Sequence, residues 1–85
     1  MAASVRVRLF ASARAAAGRS ALSWRVPEDG IAASSLVNEL VARFPALAPI
    51  APHCRLVHNA EYVRTASERI RPGDEFGLHP PYSGG

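Results

Sequence analysis

The residues whose types and spacing point most directly to chemistry are the last seven, His79-Pro80-Pro81-Tyr82-Ser83-Gly84-Gly85. Gly84 and Gly85 carry no side chain, so a partner protein can enclose their backbone in a narrow slot and bring the terminal carboxylate against a bound nucleotide. Pro80 and Pro81 fix their own backbone angle and lack an amide hydrogen, which favours an extended polyproline form and prevents pairing along a sheet edge. Seven residues at about 3.3 to 3.6 Å each would let the terminus reach roughly 23 to 25 Å beyond Leu78. Gly85 is then the reacting residue, and Pro80, Pro81, Tyr82, Ser83 and Gly84 are the stretch that a partner takes in. A closing Gly-Gly alone would favour an unstructured end. The proline pair before it favours a presented arm.

Other reactive side chains read as structural. Cys54 is the single cysteine, so no internal disulfide can form, and a reducing, cytoplasmic setting is expected. It falls at a core position of an alternating segment and cysteine is among the most buried residue types, which favours packing over a thioester or persulfide role. His53, His58 and His79 match no zinc spacing with it, and adjacent His53 and Cys54 would point to opposite sides of a strand. No metal and no bound cofactor are expected.

All ten basic residues are arginines, scattered from Arg6 to Arg71, and the formal net charge is +3. With no basic run and only six aromatic residues, the composition argues against a nucleic-acid binder. Arg6, Arg8, Arg25 and Arg55 could meet acidic groups of a partner, although plain solvation is the ordinary role of such charges. The longest apolar stretch, near Ala46 to Pro52, is broken by prolines and far shorter than the roughly 20 residues of a spanning helix. No membrane role is expected. Lysine is absent, so the chain cannot receive an isopeptide bond on a lysine amine, though it can donate its own carboxyl.

The elements that must position this arm follow from periodicity. Val5, Val7 and Leu9 alternate with Arg6, Arg8 and Phe10, and Leu22, Trp24 and Val26 with Ser23 and Arg25, which predicts two strands paired as a hairpin. Ala11 to Arg19 between them reads as a loop with a helical turn, broken at Gly18. Leu36, Val37, Leu40, Val41 and Phe44 form one stripe of a helix that Pro45 ends; its start falls near Ala32, Ser34 and Ser35. Cys54, Leu56 and His58 alternate with Arg55 and Val57 up to a turn at Asn59-Ala60, and Tyr62-Val63 begins a return strand. Pro72-Gly73-Asp74 is a further turn, and Phe76 and Leu78 give a last strand facing the core. Strand, strand, helix and two or three more strands suit an α+β domain over residues 1–79: a mixed sheet of four to five strands with one main helix across it, the β-grasp arrangement. Residues 80–85 form its extended tail.

Pro72-Gly73-Asp74-Glu75-Phe76 followed by Pro80-Pro81-Tyr82-Ser83-Gly84-Gly85 resembles the end of the molybdopterin synthase small-subunit (MoaD) family, one of the MoaD/ThiS ubiquitin-like sulfur carriers. Val5-Arg6-Val7 through Leu9-Phe10-Ala11 is similar to that family's first strand, Phe44-Pro45-Ala46-Leu47 to its helix exit, and Asn59 to its hairpin turn. Ala60 departs from the family's frequent glycine, Ala32 from a common capping threonine, and His58 and His79 from positions that are often apolar. None of these touches the terminal motif.

The resemblance implies a carrier rather than an enzyme. A MoeB-type adenylating enzyme would use ATP and magnesium to make a Gly85 acyl-adenylate, and sulfur from a persulfide donor protein would displace AMP to leave a thiocarboxylate. The large (MoaE-type) subunit of the synthase would take in the tail, and cyclic pyranopterin monophosphate would gain two sulfurs in a heterotetramer. Phe10, Val57 and His79, with Tyr82, are candidates for the apolar patch that docks these partners. Alternatives are a carrier for thiamin, cysteine or a tungsten-type pterin, a protein modifier, or a non-covalent interaction module.

Overall fold

The computed structural model describes residues 3–81. In β1 (Ser4–Leu9), Val5, Val7 and Leu9 are buried while Arg6 and Arg8 are exposed. β2 (Ala21–Arg25) returns antiparallel, with Val5 opposite Trp24 and Val7 opposite Leu22, so the apolar sets of the hairpin share one face. Between the two strands Ala11–Ala17 forms a helix, α1, where the sequence suggests mainly a loop. Alanine has the highest helix propensity, and Gly18 closes the helix at φ +75° with its N–H donating to the Arg14 carbonyl at 2.8 Å.

Gly30 turns the chain into β3 (Ile31–Ala32), which pairs antiparallel with β6 (Arg69–Ile70). Its φ is +92°, and a Cβ there would lie 2.7 Å from the Ile70 carbonyl oxygen, so only glycine fits. The main helix, α2 (Ala33–Arg43), buries Leu36 and Leu40 completely, and Val37 and Val41 pack beside them. Ala32 offers its first turn no side-chain cap. Instead the Ala33 and Ser34 N–H groups donate to the carbonyls of Glu68 (2.9 Å) and Ala66 (3.0 Å), so the loop before β6 caps the helix. Phe44 and Pro45 end it, and two 3₁₀ turns (Pro45–Leu47 and Ala51–His53) lead onward.

β4 (Arg55–His58) begins one residue after Cys54 and turns through Asn59-Ala60 into β5 (Glu61–Tyr62). β7 (Glu75–His79) then enters the middle of the sheet, parallel to β1 and antiparallel to β4, giving the order β2-β1-β7-β4-β5. Phe76 and Leu78 are fully buried at its centre with Leu36, Leu40 and Leu47. Truncating any of these to alanine removes about 2–5 kcal/mol, a large share of a small domain's stability. The five-stranded mixed sheet crossed by α2 is the expected β-grasp fold. The structure adds α1 and the β3–β6 pair.

Candidate functional site

Strand periodicity sends alternate side chains of the sheet away from the core. Register then gathers them. Arg6 and Arg8 of β1 lie beside Glu75 and Gly77 of β7; Val57 of β4 faces Gly77, and Arg55 faces His79. Tyr62 of β5 is opposite Val57 and shares its face.

Phe10 lies at the end of β1 on this outer face, half-buried, with its ring stacked on His79 at a centroid distance of 4.0 Å and 29° between planes. It packs there rather than in the core. Gly77 lies against the stack: a Cβ at that position would be in ordinary van der Waals contact with His79 Nε2 at 3.4 Å and Phe10 Cε2 at 3.5 Å. Beside it opens a hollow of about 260 Å³ lined by Arg8, Phe10, Val57, Asn59, Ala60, Glu75 and Gly77. Phe10 and Val57 therefore line one depression, and His79 adjoins it through its stack on Phe10. Tyr62 was not singled out from the sequence with them. It is 61% exposed, the one exposed large apolar side chain among the described residues, and the Arg55 guanidinium lies 5.0 Å from its ring. The signal that could have found it is the pairing of Val57 with Tyr62 across a two-residue turn.

That turn is fixed from β7. Asn59 donates its N–H to the Glu75 carbonyl at 2.9 Å, and its Oδ1 accepts the Glu75 N–H at 2.8 Å. Asn59 and Ala60 both have positive φ, +49° and +71°, as a two-residue hairpin turn demands. Asparagine tolerates this region; alanine does so under strain.

At the end of β7, Pro80 is half-buried and Pro81 exposed, and both line a hollow of about 240 Å³ with Ser12, Pro49, Ile50 and His53. The tail thus starts from the same end of the sheet as the Phe10–His79 stack. Tyr82, Ser83, Gly84 and Gly85, on which the expected carboxyl chemistry falls, lie outside the described residues.

His58 stands on the other side of β4, its Nδ1 2.8 Å from Glu68 Oε2 and its Nε2 2.6 Å from Asp74 Oδ2. Burial alone lowers its pKa, but the hydrogen bonds to Glu68 and Asp74 outweigh that and leave it raised. The His58 hydrogen bond holds the Glu68 carboxyl below its ordinary range. Burial pushes Asp74 up, yet the Arg71 backbone N–H and His58 bring it below its ordinary value. The two ring nitrogens point apart, so the carboxylates do not converge on one ion, and the group acts as a clamp between β4 and the segment that caps α2. Cys54 is half-buried, its Sγ 3.5 Å from the Ile50 carbonyl, and burial pushes its thiol up, away from the reactive thiolate. Among the described residues no helix is long and apolar enough to cross a membrane.

Comparison with known proteins agrees with this architecture. Residues 7–85 match the model of the ThiS family. The molybdopterin synthase sulfur carrier subunit of Drosophila ananassae is 41% identical over 83 residues, covering 95% of this chain and 90% of its own. That of Chlamydomonas reinhardtii is 34% identical over 82 residues, covering 95% and 98%. Among solved structures, small archaeal modifier protein 1 (SAMP1) of Haloferax volcanii superposes with a TM-score of 0.82 at 29% identity, covering 96% of this chain and 99% of that one. With a family match that runs from the first strand to the terminal glycine, the chain belongs to the ThiS family.

Proposed function

We propose that the chain is the sulfur carrier subunit of a molybdopterin synthase, acting in molybdenum cofactor biosynthesis in the cytoplasm. The observation that carries this reading is the 41% identity, over nearly the whole length of both chains, to a protein of that name. The α-carboxyl of Gly85, with an ordinary pKa near about 3.5, is ionised at neutral pH and able to attack the α-phosphate of ATP on a MoeB-type adenylating enzyme. Pyrophosphate leaves; the outer sulfur of a persulfide donor protein then displaces AMP to form an acyl disulfide, and a thiol reductant cleaves its S–S bond, taking the donor's cysteine into a new disulfide and leaving the Gly85 thiocarboxylate. The MoaE-type large subunit docks on the face around Phe10, Val57 and His79, takes in Pro80 through Gly84, and supplies most of the catalytic side chains. Cyclic pyranopterin monophosphate receives one sulfur from each of two loaded carriers. The chain itself is a carrier and binds no cofactor.

Intact mass after incubation with the activating enzyme, ATP and a sulfur donor tests the first half. Exchange of one oxygen for sulfur at Gly85 supports the reading, and an unchanged mass beside a demonstrably active enzyme refutes it. The likeness to SAMP1 favours a second reading, a protein modifier. Covalent adducts between Gly85 and target lysines in cell extract would support that one instead.

A further inference from the structure

The outer face of the sheet holds charge in a way that composition conceals. Arg6, Arg8, Arg25 and Arg55, four of the ten arginines, stand on it with one carboxylate of the seven, Glu75. The six arginines elsewhere are matched by six carboxylates, so the whole formal net charge of +3 belongs to this face. From β2, which carries Arg25, to β4, which carries Arg55, is three strand spacings of about 4.8 Å, roughly 15 Å. Arg8 is 3.9 Å from Glu75, yet both side chains remain 48% exposed. Arg8 and Arg55 lie 5.8 Å and 5.0 Å from the Phe10 and Tyr62 rings, so the charge borders the aromatic groups and the hollow at Gly77.

We propose that the protein docking here presents an apolar side chain ringed by carboxylates, the apolar group entering the hollow and the carboxylates meeting Arg6, Arg8, Arg25 and Arg55. The inference rests on the reading above that a protein partner docks on this face. An apolar centre with a charged rim is the anatomy of a protein interface, and guanidinium groups pair with carboxylates through two parallel hydrogen bonds. Tyrosine and arginine are also the residue types that dominate interface energy. A single-stranded nucleic acid would need free aromatic platforms along a groove, whereas the Phe10 ring is already stacked on His79. Charges at such a rim act chiefly on the encounter: they speed association and make it sensitive to salt.

The test is stopped-flow association of the full chain with the molybdopterin synthase large subunit of the same organism. Raising salt from about 0.05 M to about 0.5 M should slow association tenfold or more, with a much smaller change in dissociation. Arg6→Glu/Arg25→Glu, which leaves two arginines facing three glutamates, should slow low-salt association at least as much while thermal unfolding stays unchanged. Arg6→Lys/Arg25→Lys keeps the charge and should keep the rate. A wild-type rate indifferent to salt and matched by the reversal variant would overturn the acidic-rim proposal and leave the carrier reading standing. No complex at either salt would overturn the carrier reading and this inference with it. Retention on a single-stranded oligonucleotide at about 0.15 M salt, lost in the reversal variant, would assign the face to nucleic acid and equally overturn the proposal.

Discussion

Ala60→Gly should stabilise the protein although it removes atoms. Ala60 sits in the Asn59-Ala60 turn with φ +71°, where a Cβ crowds the following carbonyl at a cost of about 1–2 kcal/mol. Glycine occupies that region freely but brings greater unfolded-chain entropy, a penalty of about 0.4–1 kcal/mol. The Ala60 methyl is exposed, so little burial is lost and the net gain is about 0.5–1 kcal/mol. For a domain of this length that raises Tm by about 2–8 °C. With a urea m-value near about 1 kcal/mol/M, it moves the unfolding midpoint up by about 0.5–1 M. The neighbouring change supplies a control of opposite sign. Asn59→Gly also relieves a positive φ, yet it deletes the 2.8 Å bond from the Glu75 N–H to Asn59 Oδ1, so it should destabilise. Urea and thermal unfolding of both variants decide the matter. A neutral or destabilising Ala60→Gly would show that strain is not stored at this turn and refute the reasoning.

His58→Gln should change the pH dependence of stability. The raised His58 pKa means that its contribution is complete below its unfolded value of about 6.5 and is lost as pH rises through the folded value, while the lowered Glu68 and Asp74 pKa values make theirs complete above about 4.5 and lost at lower pH. Wild type should therefore exceed the variant most between about pH 5 and 6.5, with the gap narrowing in alkaline solution; a gap independent of pH in unfolding titrations would contradict the clamp. Gly77→Val should place its side chain in the hollow beside Phe10, weakening large-subunit binding by about 1–3 kcal/mol, or about 5- to 150-fold in Kd; unaltered affinity in calorimetry would remove the hollow from the docking surface. Glu39→Ala should free the Trp24 indole from its 2.8 Å bond to Glu39 Oε1 and shift the emission of the single tryptophan while lowering stability by less than about 1 kcal/mol.

The strands and the helix that bury large side chains were legible in the sequence because burial imposes a period. Val5, Val7 and Leu9 show it at two, and Leu36, Leu40 and Phe44 at four. Where burial imposes no period, the sequence is silent. Helix α1 buries only Ala13 completely, so propensity rather than a stripe makes it, and β3 and β6 are two residues each, too short for alternation to register. No capping side chain marks the start of α2 at Ala32, because the groups that satisfy its first turn are backbone carbonyls more than thirty residues away. Separations of 10 and 16 residues hide the His58 clamp in the same way, since its carboxylates come from Glu68 and Asp74 on other segments. Phe10, Val57 and His79 could be named as a docking patch from the resemblance to a carrier family. The hollow between Phe10 and Val57, the exposed Tyr62 and the gathering of four scattered arginines on one face needed the strand register.

The most direct measurement of the central claim is a single-turnover reconstitution with no activating enzyme present. Chain carrying the Gly85 thiocarboxylate is mixed with the large synthase subunit and cyclic pyranopterin monophosphate, and molybdopterin is quantified. The account predicts one dithiolene for every two loaded carriers, recovery of the chain as its plain carboxylate, and no product from carrier lacking Gly85 even though that variant unfolds like wild type. Equal product from the Gly85-deleted chain, or none from the loaded one, would contradict it.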